Sequence, residues 1–109
     1  MNDCLLVLTN LPDNAAAQRL ARRIIESRAA ACVNQLPPCV STYRWHERIE
    51  TVSEVPLMIK TTDSAYPRLE ALIRAEHPYE LPEIIAVPLS AGLPEYLGWV
   101  SQETQLCKE

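Results

Sequence analysis

Glycine is scarce in this chain, which has only Gly92 and Gly98 among its 109 residues. Loops that cradle phosphate groups need several closely spaced glycines, so the sequence argues against that class of nucleotide site. Long flexible linkers are disfavoured for the same reason. The length is typical of one domain, and we expect residues 1–109 to form a single domain.

An excess of positive charge is also missing, because 10 lysines and arginines are outnumbered by 14 aspartates and glutamates. Non-specific nucleic-acid binding requires a basic face, so we expect no nucleic-acid partner. No apolar run approaches the ~20 residues that span a bilayer, and the first residues do not have the pattern of a secretory leader. We therefore expect a soluble, cytoplasmic protein without a membrane partner.

The four cysteines lack the C-x-x-C spacing of zinc and redox motifs, and we expect free thiols rather than disulfides. Cys4 and Cys32 lie in apolar, strand-like segments, where cysteine usually behaves as a small buried hydrophobic residue. Cys39 follows two prolines and is expected at the surface. We interpret Cys39 and Cys107 as incidental thiols.

Hydrophobic periodicity predicts five strands and three helices. The predicted strands are 4–9, 30–36, 40–45, 49–62 and 83–89, and the helices end near 28, 77 and 105. The candidate helix N-caps are Asp13 or Asn14 for the first helix and Asp63 or Ser64 for the second, which Pro78 should end. The order β-α-β-β-α-β predicts an α+β, ferredoxin-like (split βαβ) fold: an antiparallel sheet with helices on one face, plus a C-terminal helix.

The hairpin of 40–45 and 49–62 is longer than one small sheet needs. It would leave unpaired edge groups and the rings of Tyr43 and Trp45 in water. Pairing with a sister chain would cover both, so we expect a homo-oligomer. The tip contains Glu47 and lacks the usual Asn-Gly turn signal.

The most informative candidate site is the segment His77-Pro78-Tyr79-Glu80-Leu81-Pro82-Glu83, which combines a histidine and acids with two prolines. Two prolines stiffen the passage from helix to strand and hold a histidine and acids there. A neutral imidazole suits copper, zinc and nickel, which makes His77 the candidate metal ligand. The alternative is a histidine that hydrogen-bonds carbonyls at the helix end. Neither Cys39 nor any serine stands beside a histidine in a recognisable nucleophile motif, so we expect no enzyme.

Together these segments resemble the CutA family of divalent-cation tolerance proteins, from Cys4 to about Gln105. The residues that carry the resemblance are, in order, Ala31-Cys32-Val33-Asn34, Ser41, Tyr43, Trp45, Lys60-Thr61-Thr62, His77-Pro78-Tyr79-Glu80, Pro82-Glu83-Ile84, Gly92, Tyr96-Leu97 and Trp99. Their order and spacing, rather than any single piece, make the match specific. The resemblance implies a ferredoxin-like subunit in a tight homotrimer of PII-like architecture, with the long hairpin completing sheets across subunit boundaries.

The resemblance also implies metal-ion binding and a response to metal ions, with copper or another divalent cation bound. The family's copper ligands are assigned to a cysteine at the end of the first strand and to a histidine pair before Pro-Tyr. This chain has Thr9 and Glu76-His77 at those positions, so His77 is the ligand that matches.

Two further functions stay open on the sequence. One is a PII-like trimer that senses a small anionic or organic effector in a cleft between subunits, with Lys60, Tyr79 and Glu83 in that cleft. For Lys60 the alternative is an ordinary cross-strand ion pair. The other function is a stable scaffold whose partner is a different protein.

Overall fold

The computed structural model describes residues 2–106, and within that range the chain forms five strands and three helices. The strands are β1 (Cys4–Leu11), β2 (Cys32–Gln35), β3 (Cys39–Trp45), β4 (Arg48–Thr62) and β5 (Ile85–Pro88); the helices are α1 (Asn14–Glu26), α2 (Tyr66–Glu76) and α3 (Pro94–Glu103). No helix in this range is both long enough and apolar enough to cross a bilayer.

β4 is the strand around which the sheet is built. The strand order is β2-β4-β1-β5, and β3 pairs with the first half of β4. All four pairings are antiparallel. β2 and β3 both pair with β4, and the N–H of Leu36, just after β2, still donates to the carbonyl of Pro56 in β4 at 2.9 Å. The two strands therefore act as one strand that is interrupted at Pro37-Pro38. The predicted ferredoxin-like order is therefore confirmed.

One face of the sheet holds the hydrophobic core under α1 and α2. Strand residues alternate between faces, so every second residue of β1 and β4 points toward these helices. The main core residues are Leu5, Val7, Leu11, Val55, Leu57 and Ile59 from the strands, with Ala17, Leu20, Ile24, Leu69 and Ile73 from the helices. Each large buried side chain contributes about 1.5–3 kcal/mol. Both main helices cover the same face, as predicted.

α3 lies against the opposite face, at the end of β1 and β4. The thiol of Cys4 donates to the carbonyl of Leu97 at 3.7 Å, and the hydroxyls of Thr62 and Thr104 are 3.4 Å apart. Arg68 and Arg28 hold its last turn, donating to the carbonyls of Thr104 at 2.8 Å and Glu103 at 3.1 Å.

α1 begins as predicted, because the carboxylate of Asp13 accepts from the N–H of Ala16 at 2.8 Å. It ends at Glu26, two residues before the predicted end. The cause is Arg28, whose φ of 62° is left-handed and breaks the helical path.

The predicted caps of α2 were wrong. Its N-cap is Ala65, which makes no side-chain capping bond. Pro67 in the first turn has no N–H, so the helix has one fewer free donor to satisfy. The hydroxyl of Thr62 accepts from the N–H of Ala65 at 3.3 Å instead. The predicted stop was right, since α2 ends at Glu76.

The three cysteines that the structure describes are free thiols. Cys4 is buried and Cys39 is exposed, as expected. Cys32 is only half-buried, because it lies on the sheet face away from α1 and α2, opposite Lys60 of β4. Cys107 lies outside the described residues.

β3 and the first half of β4 form a largely exposed ribbon. Val40 is 73% exposed and Ile49 is 70% exposed, so this ribbon presents apolar side chains to solvent. At its tip His46 and Glu47 have φ of 49° and 66°. Positive φ at both central residues is the feature of a type I′ turn, which Asn-Gly normally occupies. The hairpin therefore forms with strained, non-glycine residues.

Replacing Glu47 by glycine should stabilise the protein by about 0.5–1 kcal/mol. The gain from removing left-handed strain exceeds the added chain entropy of glycine. The measurement is chemical denaturation at fixed protein concentration, because assembly changes apparent stability. Glu47→Gln is the matched control, since it removes the charge but keeps the strained backbone. Equal stability of the two variants would contradict the strain argument.

Candidate functional site

His77 closes α2 and fixes the start of the turn that follows. Its backbone N–H donates to the carbonyl of Ile73 at 2.8 Å, and the residue is only 8% exposed. The ring Nε2 lies 2.7 Å from the carbonyl of Asn10, at the end of β1. The ring Nδ1 accepts from the N–H of Tyr79 at 3.1 Å. Because Nδ1 accepts, Nε2 carries the proton, and the imidazole is neutral with both nitrogens engaged.

This arrangement does not provide a metal site preformed within one chain. A metal ion needs a free lone pair on the imidazole, and the one on Nδ1 is used by Tyr79. Within residues 2–106 no group of three or more histidine, cysteine, aspartate or glutamate side chains is placed to hold an ion. Thr9 is 1% exposed and its hydroxyl has no hydrogen-bond partner among residues 2–106, but it faces the core and offers no thiolate.

A groove of about 920 Å³ opens between the ribbon and the turn after His77. We refer to it as the turn groove. The ribbon contributes Tyr43, Trp45, Val52, Ser53 and Glu54; the turn contributes residues 78–85; and Asn10 and Pro12 close one end. The β3–β4 register places Tyr43 and Trp45 on the same face of the ribbon as Glu54. The sheet thus presents two aromatic rings and a carboxylate to the same space.

Tyr79 and Glu54 form the polar part of the turn groove. Burial, the largest cause, and the nearby Glu54 carboxylate together raise the pKa of the Tyr79 phenol from 10.0 to about 12. The negative charge of Asp13 and the neighbouring Tyr43 act in the same direction. The phenol therefore keeps its proton to a higher pH than an ordinary tyrosine does.

Glu83 ties the turn to the sheet. Its Oε1 accepts from the side-chain amide of Asn10 at 3.1 Å. Asn10 also accepts from His77 through its carbonyl, so one residue holds both ends of the turn. The only signal of Asn10 in the sequence is that it is a polar residue near the end of an apolar strand.

Lys60 does not share this site within one chain. Tyr79 and Glu83 line the turn groove, as their closeness in sequence suggested, but Lys60 lies six residues beyond Glu54 on β4. At the rise of a strand that is about 20 Å. The ammonium of Lys60 donates to the side-chain oxygen of Asn34, an amide rather than a carboxylate. The placement of Lys60 in a cleft between subunits stays a prediction.

Comparison with known proteins agrees with this fold and these residues. Residues 5–103 match the family described as CutA1 divalent ion tolerance protein. The chain belongs to this family. The resemblance inferred from the sequence is thereby confirmed.

Two curated relatives illustrate the range of the family. Divalent-cation tolerance protein CutA of Thermus thermophilus is 40% identical over 99 residues, which are 91% of this chain and 96% of that protein. Protein CutA of Mus musculus is 47% identical over 94 residues, or 86% of this chain and 53% of that protein. The chain therefore spans about half the length of the mouse relative.

Solved structures show the same architecture. CutA from Xylella fastidiosa has a TM-score of 0.92 at 46% identity, covering 94% of this chain and 99% of that one. The PII-like protein CutA from Nostoc has a TM-score of 0.87 at 38% identity, with the same coverage of 94% and 99%. The ferredoxin-like layout of this chain is thus shared with experimentally determined relatives.

The raised pKa of Tyr79 predicts a loss of stability in alkali. An acid whose pKa is higher in the folded state stabilises that state below its unfolded pKa, here 10.0, and the contribution disappears as pH rises through about 12. Tyr79→Phe should show a shallower decline over that window than the wild type, measured by chemical denaturation at several pH values.

Glu54→Gln provides the control for the cause of the shift. Spectrophotometric titration of the phenolate should show a lower pKa for Tyr79 in this variant, still above 10.0, because burial is the largest cause. Identical alkaline declines in the wild type and Tyr79→Phe would contradict the assignment.

Proposed function

We propose that the chain is a cytoplasmic, homotrimeric metal-response protein that binds copper or another divalent cation and contributes to tolerance of such ions. The observation that carries this proposal is the family match over residues 5–103. The Thermus thermophilus relative, of which the chain covers 96%, is named for divalent-cation tolerance. We propose a binding role without a catalytic step.

Cation binding is proposed for the assembled protein rather than for a site preformed in one chain. His77 has both ring nitrogens engaged within the chain, so coordination at Nδ1 requires the loss of the Tyr79 contact. The candidate donors of further ligands are the carboxylates of Glu80 and Glu83, which border the turn groove that begins at Pro78. Carboxylate oxygens and imidazole both coordinate divalent transition metals. Donors from more than one subunit would raise the ligand number.

Copper titration tests this proposal. We expect saturable Cu²⁺ binding by calorimetry for the wild type, weakened by about tenfold or more in His77→Gln, as expected for loss of one charge-assisted or coordinating contact. His46→Gln is the matched control, because His46 is the other of the two histidines and lies at the ribbon tip. Near-ultraviolet circular dichroism checks that both variants are folded.

Two results would contradict different parts of this proposal. Unchanged copper affinity in His77→Gln would remove His77 from the site. An absence of saturable binding to the wild type would overturn copper binding itself.

A PII-like trimeric sensor of a small effector is the second candidate function. It is favoured by the turn groove, which brings Tyr79 and Glu83 together with two aromatic side chains of the ribbon. The related Nostoc protein is called PII-like. Because Lys60 lies far from this groove in its own chain, we propose that it approaches the groove of a neighbouring subunit.

Both candidates depend on assembly, which light scattering measures. We expect a mass three times the 12.3 kDa of one chain. Val87 of β5 is 46% exposed on the sheet face away from α1 and α2, and Val87→Asp should lower the mass by placing a charge in an apolar contact. Ile25→Asp is the control, because Ile25 is 42% exposed on α1 and should leave the mass unchanged. A folded single subunit at micromolar concentration would contradict the trimer.

A further inference from the structure

A second groove lies on the outer side of the helices, between α1 and the end of α2. It has a volume of about 500 Å³, and Glu76 and Pro78 form the wall opposite α1. Leu11 and Leu20 at its base are 0% and 3% exposed, so the groove opens above the core rather than into it. Its volume is within the range of small-molecule sites. We refer to it as the helix groove.

The helix groove stays accessible when subunits assemble through the contacts proposed above. Those contacts use the ribbon and the sheet face that carries Val87, which is the face away from α1 and α2. The helix groove lies on the other side of the sheet, and among the described residues it shares only Pro78 with the turn groove. A ligand in it would therefore be held by one chain and would not need a space between subunits.

Three arginines border the helix groove, although the chain as a whole carries a net charge of −4. Arg19 lies three residues before Arg22 and four before Arg23, so the three guanidinium groups share one side of α1, where like charges repel one another. Glu26 and Glu76 are the acids in the lining. Three positive and two negative side chains leave one positive charge uncompensated, and such a surface attracts an anion.

The uncompensated charge belongs to Arg19. Arg22 pairs with Glu26 at 3.0 Å along α1. Arg23 pairs with Glu76 of α2 at 3.4 Å. Arg19 takes part in no salt bridge within residues 2–106. Because a guanidinium group presents a planar fork of N–H donors that matches a carboxylate, Arg19 can bind a carboxylate without first losing an internal partner.

The rest of the lining suits a small apolar body with a single negative charge. The ring of Pro78, the methyl group of Ala16 and the aliphatic stems of the arginines supply apolar surface. A planar ring can also stack on a guanidinium group. One uncompensated positive charge matches a carboxylate better than a phosphate monoester, which carries about −1.5 to −2 at pH 7.

We propose that the helix groove binds a small organic carboxylate, with the carboxylate on Arg19 and the apolar body between α1 and Pro78. This site is distinct from both functions proposed above, because its lining contains neither His77 nor any residue of the ribbon. The inference rests on neither of them.

Three benzene derivatives of similar size and different charge test the proposal on the assembled protein. Benzoate is the anion, benzamide the neutral control and benzylammonium the cationic control. By calorimetry we expect saturable binding of benzoate, about tenfold tighter than benzamide, and no saturable binding of benzylammonium. The titrations are made without metal ions, because carboxylates also coordinate copper. An absence of saturable benzoate binding would overturn the proposal.

Neutral variants of two exposed arginines test the role of Arg19. Arg19→Gln should weaken benzoate about tenfold. Arg74→Gln is the matched control, because Arg74 is likewise exposed and without a salt bridge among the described residues, but lies on α2 outside the lining. It should stay within about twofold of the wild type. Equal benzoate affinities of Arg19→Gln and the wild type would overturn the assignment.

Glu76→Gln gives a change of the opposite sign. It removes one of the two negative charges of the helix groove and frees Arg23 from its internal partner. Benzoate should therefore bind about two- to fivefold more tightly, which corresponds to the energy of an exposed ion pair. Unchanged or weaker binding would contradict the electrostatic basis of the site.

Nuclear magnetic resonance locates the bound probe. We expect benzoate to shift the backbone amide signals of residues 16–23 and 76–77 with the affinity found by calorimetry. Shifts confined to the ribbon and to residues 79–85 would place the anion in the turn groove, which would overturn this inference and support the effector site between subunits. A single-subunit mass or a lack of copper binding would contradict the proposed function and leave the helix groove unaffected.

Discussion

The ring of His77 is the constraint on which the functional face depends. It donates to the carbonyl of Asn10 and accepts from the N–H of Tyr79, so one buried side chain joins the end of β1, the end of α2 and the turn after it. Pro78 prevents the helix from continuing past this point. The direction of the turn, and hence the shape of the groove beside it, follows from these two hydrogen bonds.

The same bonds explain why the imidazole is a poor preformed metal ligand. A nitrogen that accepts a hydrogen bond has no second lone pair for an ion. Coordination of a metal ion by Nδ1 of His77 and the hydrogen bond from the N–H of Tyr79 to the same atom therefore exclude each other. The effector hypothesis carries no such conflict, because the walls of the groove remain intact when His77 keeps both partners.

The order of elements and the core face could be predicted from the sequence because they depend on local periodicity. The 3.6-residue repeat of α1 and the apolar run of β1 are visible without any tertiary information. The predicted caps of α2 failed because Thr62, a residue of the preceding strand, satisfies the first free N–H. The early end of α1 depends on the left-handed backbone of Arg28, and nothing in its side chain signals that conformation.

The candidate site was predictable only where its residues are neighbours in sequence. Tyr79 and Glu83 belong to one turn, so their common placement could be read from the prolines around them. Glu54 lines the same groove as Tyr79 although the two residues are far apart in the chain, because the pairing of β4 within the sheet places it there. The distance of Lys60 from both depends on the register of that strand. Hydrophobic patterns do not encode such distances.

The ribbon affects how the sequence of this protein can evolve. The hydrophobic core takes no residue from β3 or from the first half of β4, so the ribbon contributes little to holding the helices on the sheet. Substitutions there alter what the molecule touches without threatening whether it folds. Binding specificity can therefore diverge between descendants of one ancestral chain while the core of helices and sheet stays the same.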